Sequence, residues 1–177
     1  ALLDNAACAI AAFNALWPLA GRRDRVVRAL QRVRLAGRLQ RFPGEVEWWL
    51  DVAHNPAGAE VLAGALRARP VAGRTLVVLG MLQDKDAAAV ASALAPVADG
   101  WIAATLPPPR GLAATELAAR VSGRLGEPLA VAADAAAACV AARQLAEPGD
   151  RIAVCGSFHA VGPALEWLGV YFAPQSD

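Results

Sequence analysis

Short apolar runs of strand length alternate with longer alanine-rich segments along most of the chain, and this alternation restricts the possible folds more than any other feature. Residues 76–79 and 152–155 are apolar throughout, which is typical of strands buried on both faces of a sheet. The segments between such runs are long enough for helices. An alternation repeated about five times predicts an α/β fold, with a mostly parallel sheet and helices on both faces.

The predicted elements fall into two groups that meet between Ala36 and Gly37. Two helices are predicted before this point, and strands alternate with helices after it. We therefore expect a helical segment at 1–36 and an α/β domain at 37–177. A chain of 177 residues is too short for two full domains of ordinary size.

Local signals place the individual elements. Asp24 stands where it would cap the second helix, and Pro56 stands in the first turn of a helix that begins near Asn55. Besides the helix that begins near Asn55, the predicted helices cover 3–17, 24–35, 86–97, 115–125, 134–146 and 158–171. The predicted strands cover 38–42, 46–53, 74–81, 101–105, 129–132 and 151–156.

Composition excludes two other classes of protein. The apolar share is 56%, and its excess is largely alanine, which excludes a disordered chain. The most apolar stretch, residues 1–20, is interrupted by Asp4, Asn5, Asn14 and Pro18. A membrane span is therefore not predicted.

Positive charge is concentrated in residues 1–44, which carry a net charge of +6, whereas the rest of the chain carries −5. Such asymmetry occurs in nucleic-acid-binding arms. However, the arginines from Arg22 to Arg41 alternate with apolar residues such as Val26 and Leu30 at helical spacing. We therefore expect the solvated face of an amphipathic helix and no nucleic-acid partner.

The cysteines Cys8, Cys139 and Cys155 are far apart and lie in apolar settings. This pattern predicts reduced, buried thiols of a cytoplasmic protein rather than disulfide bonds. No pair of Cys and His has the spacing of a zinc site, and neither histidine completes a nucleophile signature with Cys155. We expect neither a metal site of the chain's own nor thiol catalysis.

Residues able to carry chemistry follow the ends of predicted strands, where ligands of parallel sheets bind. Asp51, His54 and Asn55 lie at a strand-to-helix junction, whose free backbone N–H groups suit an anionic group. Asp51 could hold a pair of hydroxyls, and the imidazole of His54 could face the crevice. A strand-end aspartate, a structural histidine and a helix-capping asparagine would account for the same residues.

Two further loops carry candidate residues. Ser157 could cap the final helix or, with the adjacent amides, bind a carboxylate. Lys85 is the only lysine among 17 basic residues, which favours a need for a compact ammonium group, with solvated loop charge as the alternative. The sequence contains neither a Gly-x-x-x-x-Gly-Lys-Ser/Thr phosphate loop nor a three-glycine dinucleotide fingerprint.

Four sequence motifs occur at these strand ends in a distinctive order. They are Asp51-Val-Ala-His-Asn-Pro56 preceded by Gly37-Arg38-Leu-Gln40, then Leu79-Gly-Met-Leu-Gln-Asp-Lys-Asp86, Pro109-Arg110-Gly111 and Val154-Cys-Gly-Ser-Phe-His159. Together they resemble the C-terminal part of bacterial folylpolyglutamate synthase/dihydrofolate synthase, in the Mur ligase superfamily. Asp4-Asn5-Ala-Ala7 also resembles the helix that ends the family's central ATP-binding domain, so the resemblance covers nearly the whole chain.

The resemblance implies both a fold and a reaction. In this family a central P-loop domain binds ATP, and a Rossmann-like C-terminal domain closes over it with the incoming amino acid. ATP phosphorylates a carboxylate, and the amino group of glutamate then attacks the acyl phosphate and displaces phosphate. The implied cofactors are ATP and Mg²⁺, with most magnesium ligands outside this chain. The implied parent is a monomeric cytoplasmic enzyme that acts on L-glutamate and dihydropteroate or folate, with no membrane partner.

The resemblance also implies roles for single residues. Asn5 resembles an asparagine near the adenine, Arg38 the arginine that reaches the ATP phosphates, and Asp51 the aspartate that holds the ribose hydroxyls. His54 resembles the signature histidine that faces the phosphates and the reaction centre, which is a catalytic position.

Two more positions, Lys85 and Ser157, resemble those that grip the carboxylates of the amino-acid substrate. We expect the C-terminal domain of an ATP-dependent amide ligase together with the last helices of its central domain, inactive alone because the P-loop is missing. The alternatives are a related ligase for another acyl substrate and a non-catalytic Rossmann-like binding module. The apolar side chains that two such separated helices are expected to expose are Leu2, Ile10, Phe13 and Trp17.

Overall fold

The computed structural model describes residues 2–17, 23–33 and 35–170, except for the side chains of residues 2–5, 23 and 31. These residues form helices and strands in the predicted order. The helices are α1 (Leu2–Leu16), α2 (Arg23–Arg32), α3 (Pro56–Ala68), α4 (Ala87–Leu94), α5 (Ala114–Leu125), α6 (Ala135–Leu145) and α7 (Phe158–Trp167), with a 3₁₀ turn at Ala95–Val97. The strands are β1 (Gln40–Phe42), β2 (Glu47–Asp51), β3 (Thr75–Leu79), β4 (Gly100–Ala104), β5 (Ala130–Ala132) and β6 (Arg151–Cys155).

The strands of the described residues form one sheet in the order β1-β2-β6-β3-β4-β5. The edge strand β1 runs antiparallel to β2, and each of the other neighbouring pairs is parallel. Every residue of β3 and β6 is buried, as expected for central strands of a parallel sheet. The predicted mostly parallel α/β fold is therefore confirmed.

Side chains that alternate along the strands build two separate layers of core. One layer faces α6 and α7, and the other faces α3, α4 and α5, so helices cover both faces as predicted. The first layer includes Trp48, Leu50, Leu76, Val78, Ile152 and Val154. The second layer includes Trp49, Val77, Leu79, Trp101, Ala153 and Cys155.

The helices that follow neighbouring central strands lie on opposite faces of the sheet at β6. This arrangement leaves a crevice at the carboxyl ends of these strands. The helix α7, which follows β6, lies on one face, whereas α3 and α4, which follow β2 and β3, lie on the other. Gly156, with φ of 105°, keeps the loop after β6 close to the loop after β3, since a Cβ there would lie 2.3 Å from the carbonyl oxygen of Gly80. Ligands of such sheets bind at this kind of switch point.

The two N-terminal helices belong to a unit that is separate from the α/β domain, and the division falls between Leu35 and Ala36. In this unit Phe13 and Trp17 are exposed, as expected, whereas Ile10 is half-buried and so does not follow the expectation. The side chain of Leu2 lies outside the described residues. Among the described helices, none is long and apolar enough to cross a membrane.

Two local predictions in this unit are wrong. Asp24 does not cap α2, because the helix already begins at Arg23, and Asp24 lies in its first turn. A carboxylate in this turn still interacts favourably with the positive end of the helix. Cys8 is exposed on α1, unlike Cys139 and Cys155, because the apolar residues around it in the sequence do not all face a core.

Candidate functional site

A turn at residues 36–40 packs against the carboxyl end of β2 and fixes Asp51. The backbone N–H of Leu39 donates a hydrogen bond of 2.7 Å to Oδ2 of Asp51. The backbone N–H of Val52 donates a hydrogen bond of 2.9 Å to the carbonyl oxygen of Gly37. Leu39 has a φ of 45°, a conformation that is uncommon for residues other than glycine and that these contacts hold in place. The carboxylate of Asp51 is therefore anchored to the main chain.

The carboxyl group of Asp51 is buried but keeps the capacity to bind a ligand. Burial raises its pKa, while hydrogen bonds from the backbone of Leu39 and Ala53 and the charge of Arg38 lower it. An ionised carboxylate accepts at about four lone-pair positions, so two amide donors leave acceptor positions for a pair of hydroxyls. This arrangement agrees with the chemistry that the sequence suggested for Asp51.

His54 lies just beyond β2, half-buried, with one side of its ring already bound. Its Nδ1 lies 2.9 Å from the carbonyl oxygen of Val52, which requires Nδ1 to carry the proton and donate. Nε2, on the opposite side of the ring, is then the acceptor of the neutral imidazole. Asn55 caps α3, which is the structural role that the sequence also allowed. Its Oδ1 accepts a hydrogen bond of 2.8 Å from the backbone N–H of Gly58.

Ser157 caps α7 and is buried at the carboxyl end of β6. Its Oγ accepts a hydrogen bond of 3.1 Å from the backbone N–H of His159. Because a hydroxyl also has a proton to donate, the cap uses only part of its hydrogen-bonding capacity. The capping role is therefore confirmed, and it is compatible with a second role in binding an anion.

The loop after β3 carries an ion-pair cluster that the sequence analysis did not assign. Asp84 lies 3.0 Å from Nζ of Lys85 and 2.8 Å from the guanidinium of Arg110. These two cations lower the pKa of Asp84 to about 2, so it stays ionised at neutral pH. The loops are joined further by a hydrogen bond from the N–H of Gln83 to the carbonyl oxygen of Arg110. Lys85 is thus paired with Asp84, and both side chains remain partly exposed to solvent.

A cleft of about 590 Å³ opens beside this edge of the sheet. It lies between the loops that follow β4 and β5 and the first turn of α7. Its lining is mostly apolar, and the polar side chains of Thr105, Asp134 and His159 are distributed around it. Phe158 forms part of the same wall, and its ring also lies against the guanidinium of Arg38, whose Cζ is 5.3 Å from the ring centroid.

The structure brings some of the predicted site residues together and leaves others apart. Arg38 and Asp51 meet at the turn beside β2, and Ser157 follows β6, the strand that pairs with β2. None of the ion pairs and hydrogen bonds of the described residues joins Lys85 to Ser157. The side chain of Asn5 lies outside the described residues.

The buried thiols are unsuited to nucleophilic catalysis. Burial raises the pKa of Cys139 to about 12 and raises that of Cys155 further above the ordinary range of thiols. A thiol is a nucleophile only when it is ionised. Cys155, at the carboxyl end of β6, is a buried thiol packed in the core, and its burial was expected from the sequence.

The structure is a mostly parallel sheet whose polar side chains gather at the carboxyl ends of its central strands. Residues 37–158 match the family model described as Mur ligase, glutamate ligase domain. The chain therefore belongs to the Mur ligase family.

The curated relatives and solved structures agree with this assignment. The chain is 39% identical over 166 residues to the dihydrofolate synthase/folylpolyglutamate synthase of Escherichia coli K12, covering 92% of the chain and 37% of that protein. It is 32% identical to the Haemophilus influenzae protein of the same name, of which it covers 40%. The chain thus spans two fifths or less of these relatives.

Two of the similar solved structures contain a bound nucleotide. E. coli FolC in complex with DHPP and ADP matches with a TM-score of 0.73 and 37% identity, over 82% of this chain and 34% of that one. The bifunctional Yersinia pestis enzyme with Mn, AMPPNP and L-glutamate bound matches with a TM-score of 0.72 and 35% identity, over 81% and 34%.

Proposed function

We propose that this chain is the C-terminal ligase domain, with the last helices of the central domain at 1–36, of an enzyme that adds L-glutamate to dihydropteroate and folates. The reaction would use ATP to form an acyl phosphate, which the amino group of glutamate attacks. The support is the family membership of residues 37–158 and the 39% identity to an enzyme of this name. In such chemistry, alignment of the reactants and neutralisation of charge supply most of the acceleration.

In this proposal the turn beside β2 binds the nucleotide. Asp51 accepts hydrogen bonds from the ribose hydroxyls, and Arg38 reaches the phosphates. The main-chain bonds to Asp51 hold its carboxylate in place before the nucleotide arrives. Prior placement of this kind reduces the entropy that binding would otherwise lose.

The reacting groups would meet near His54 and Ser157. Since Nδ1 of His54 is occupied by the carbonyl oxygen of Val52, its Nε2 is the atom available to the phosphates and the reaction centre. The hydroxyl of Ser157 donates to a carboxylate of glutamate while its oxygen continues to cap α7.

Lys85 would bind a second carboxylate of glutamate. The cluster of Asp84, Lys85 and Arg110 contains two cations and one anion, so its formal net charge of +1 matches one added carboxylate. Lys85 has three N–H donors and can keep Asp84 while it binds the substrate. The cluster thus offsets the cost of desolvating a charged amino acid.

ATP and Mg²⁺ are the proposed cofactors. The described residues contain no group of three or more His, Cys, Asp and Glu side chains that could hold a metal ion. We therefore assign no magnesium ligand to this chain and no step to the metal. When bound, Mg²⁺ neutralises phosphate charge in reactions of this class.

The observation that carries the proposal is the anchored Asp51 at the switch point of a domain of this family. The test is Asp51→Ala in the complete ligase that we propose contains this chain. The Michaelis constant for ATP should rise by about fivefold or more, since paired hydrogen bonds contribute roughly 1–3 kcal/mol, and the constant for glutamate should change less. An unchanged ATP constant with a raised glutamate constant would contradict the assignment.

The proposal also makes a statement about the chain by itself. Its sequence has no phosphate loop, so we expect no release of phosphate from ATP in the presence of glutamate and dihydropteroate. The comparison is a sample without protein. Turnover clearly above that control would show that the chain holds a full active site.

A related ligase with another acyl substrate is the second candidate. The family model that residues 37–158 match describes the glutamate ligase domain of Mur ligases, and it does not itself specify the acyl substrate. Assay of the complete ligase with dihydropteroate and with other carboxylic acids separates the two. A nucleic-acid surface at Arg22 to Arg41 has less support, because the exposed face of α2 also includes the apolar side chains of Val27 and Leu30. Arg22 and Arg34 lie outside the described residues.

A further inference from the structure

Phe158 is an aromatic residue exposed at the first turn of α7. Phe158 is 62% exposed, whereas Ala160, Val161, Ala164 and Leu165 of the same helix are buried. The guanidinium carbon of Arg38 lies 5.3 Å from the centroid of the ring, which is the geometry of a cation–π contact. The contact joins residues that are far apart in the sequence.

The backbone that carries Arg38 is fixed on both sides. Leu39 is bound to Asp51, and Gly37 lies so close to α7 that a Cβ at this position would be 2.8 Å from Cγ1 of Val161. Gly37 has a φ of 66°, which further favours glycine. The turn therefore presents Arg38 to α7 in one orientation.

The side chain of Arg38 is fixed in a different way. Arg38 is a half-buried residue, no side-chain hydrogen bond or ion pair joins it to the other described residues, and its guanidinium lies over the ring of Phe158. The guanidinium carbon lies over the ring, and an aromatic ring has no carbonyl or carboxylate oxygen to accept from the N–H donors, so this contact leaves them available to a ligand. An ion pair with a carboxylate would hold the side chain equally well but would occupy some of those donors.

We propose that Phe158 is a positioning residue that holds the guanidinium of Arg38 extended over the switch point, with its donors directed to the phosphates of the nucleotide. This inference rests on the proposed function, since it assumes that Arg38 binds phosphate. Without the ring, the arginine side chain samples other rotamers, and binding has to order it again. The loss therefore affects nucleotide binding through Arg38.

The contact itself can be measured in this 177-residue chain by NMR of the Arg38 side chain. The Nε–H resonance of Arg38 should be displaced upfield by the ring, and Phe158→Leu should remove the displacement. Phe158→Tyr should keep it, because the aromatic face is retained. A resonance that is the same in the wild type and in Phe158→Leu would overturn the proposal.

The consequence is measured in the complete ligase by steady-state kinetics. Phe158→Leu should raise the Michaelis constant for ATP roughly two- to fivefold, the range expected from a partly exposed cation–π contact, with kcat and the glutamate constant nearly unchanged. Phe158→Tyr should restore the wild-type value. Trp167→Leu, at the other end of α7, is the matched control for general loss of an aromatic residue from this helix, and it should leave the ATP constant unchanged.

A double-mutant cycle separates this inference from the proposed function. In an Arg38→Met background, Phe158→Leu should have no further effect on the ATP constant. An equal effect in both backgrounds, or an effect on glutamate alone, would overturn the positioning role and indicate that Phe158 acts through the cleft. If Arg38→Met itself leaves the ATP constant unchanged, the phosphate role of Arg38 in the proposed function fails. If only Phe158→Leu is without effect, the proposed function stands and the inference fails.

Discussion

At the amino edge of the sheet, the buried guanidinium of Arg151 donates hydrogen bonds of 2.7 to 3.0 Å to the carbonyl oxygens of Leu66 and Arg69 and to Oγ1 of Thr75. At the carboxyl edge, the buried carboxylate of Asp51 accepts from backbone amides and retains open acceptor positions. Both side chains are charged and buried in the same sheet. In the side chain of Arg151, every nitrogen except Nε donates a hydrogen bond within the protein.

Two buried aspartates show the same contrast in their pKa values. Burial alone would raise the pKa of Asp150, but hydrogen bonds from the backbone of Arg74 and Glu147 and the guanidinium of Arg74 lower it. For Asp51, burial outweighs the bonds and charges that lower the pKa, and the pKa is raised. The fold therefore stabilises the anionic form of Asp150, whereas the contacts of Asp51 do not fully offset the cost of burying its charge.

This difference distinguishes a structural from a functional polar group. A buried group whose partners all lie within the fold contributes to stability, and its loss leaves those partners unpaired. A buried group at a crevice that still has free hydrogen-bonding positions lowers the stability of the fold slightly, and a bound ligand supplies the missing hydrogen bonds. The comparison therefore assigns opposite effects to substitutions at the two edges.

The largest effect is expected for Arg151→Met at the amino edge. The substitution removes three hydrogen bonds, to the carbonyl oxygens of Leu66 and Arg69 and to Oγ1 of Thr75, and we expect the free energy of unfolding to fall by roughly 3 kcal/mol. Urea unfolding of the 177-residue chain measures it. Arg120→Met is the matched control, since Arg120 forms an exposed pair with Glu116 and should change stability by less than about 0.5 kcal/mol. Similar losses in both variants would contradict the structural role of Arg151.

Asp150→Asn should lower stability by about 2 kcal/mol at pH 7, because charge-assisted hydrogen bonds from Arg74 and Glu147 are lost. The pKa of Asp150 is lowered in the folded state, so its contribution is present above the ordinary carboxyl value of about 3.9 and is lost as the pH falls through the lowered folded-state value. The difference between wild type and variant should therefore shrink in acid. A difference that is constant from pH 7 to pH 2.5 would show that the charge is not responsible.

At the carboxyl edge, Lys85→Met in the complete ligase should raise the Michaelis constant for glutamate by at least about tenfold, equivalent to ~1.4 kcal/mol, with ATP affinity and folding nearly intact. Lys85→Arg should restore little, because a planar fork on a longer side chain does not place its charge at the same point. Arg124→Met is the control, since that side chain donates to Ser92 on the outer helices. A wild-type glutamate constant in Lys85→Met would direct the search for the glutamate site to Ser157 and His159.

The sequence predicted the elements of the α/β domain well, for a physical reason. Central strands such as β3 and β6 are apolar throughout because both faces are buried, and the alanine-rich helices differ from them in length as well as composition. The strand ends follow from these elements, so the positions of Asp51 and Ser157 at the carboxyl edge could also be predicted. The Pro56 and Asn55 signals placed the start of α3 correctly.

The contacts that complete the candidate site could not be predicted, because they join residues distant in the sequence. Asp84 and Arg110 are 26 residues apart, and the contact of Arg38 with Phe158 spans nearly the whole α/β domain. No local pattern records such a pair. The positive φ of Leu39, which orients its N–H to Asp51, is equally invisible in a residue type that favours ordinary backbone conformations.

The most direct test of the contrast between the two edges is to measure both stability and nucleotide use in Asp51→Asn. The raised pKa means that Asp51 favours the folded state below about pH 3.9 and that this contribution is lost as the pH rises through the folded-state value, so at pH 7 its charge lowers stability. We predict that Asp51→Asn is at least as stable as the wild type in urea at pH 7. We also predict that the ATP Michaelis constant of the complete ligase rises about fivefold, as for the loss of one hydrogen bond of roughly 1 kcal/mol. A less stable variant with an unchanged ATP constant would contradict the account.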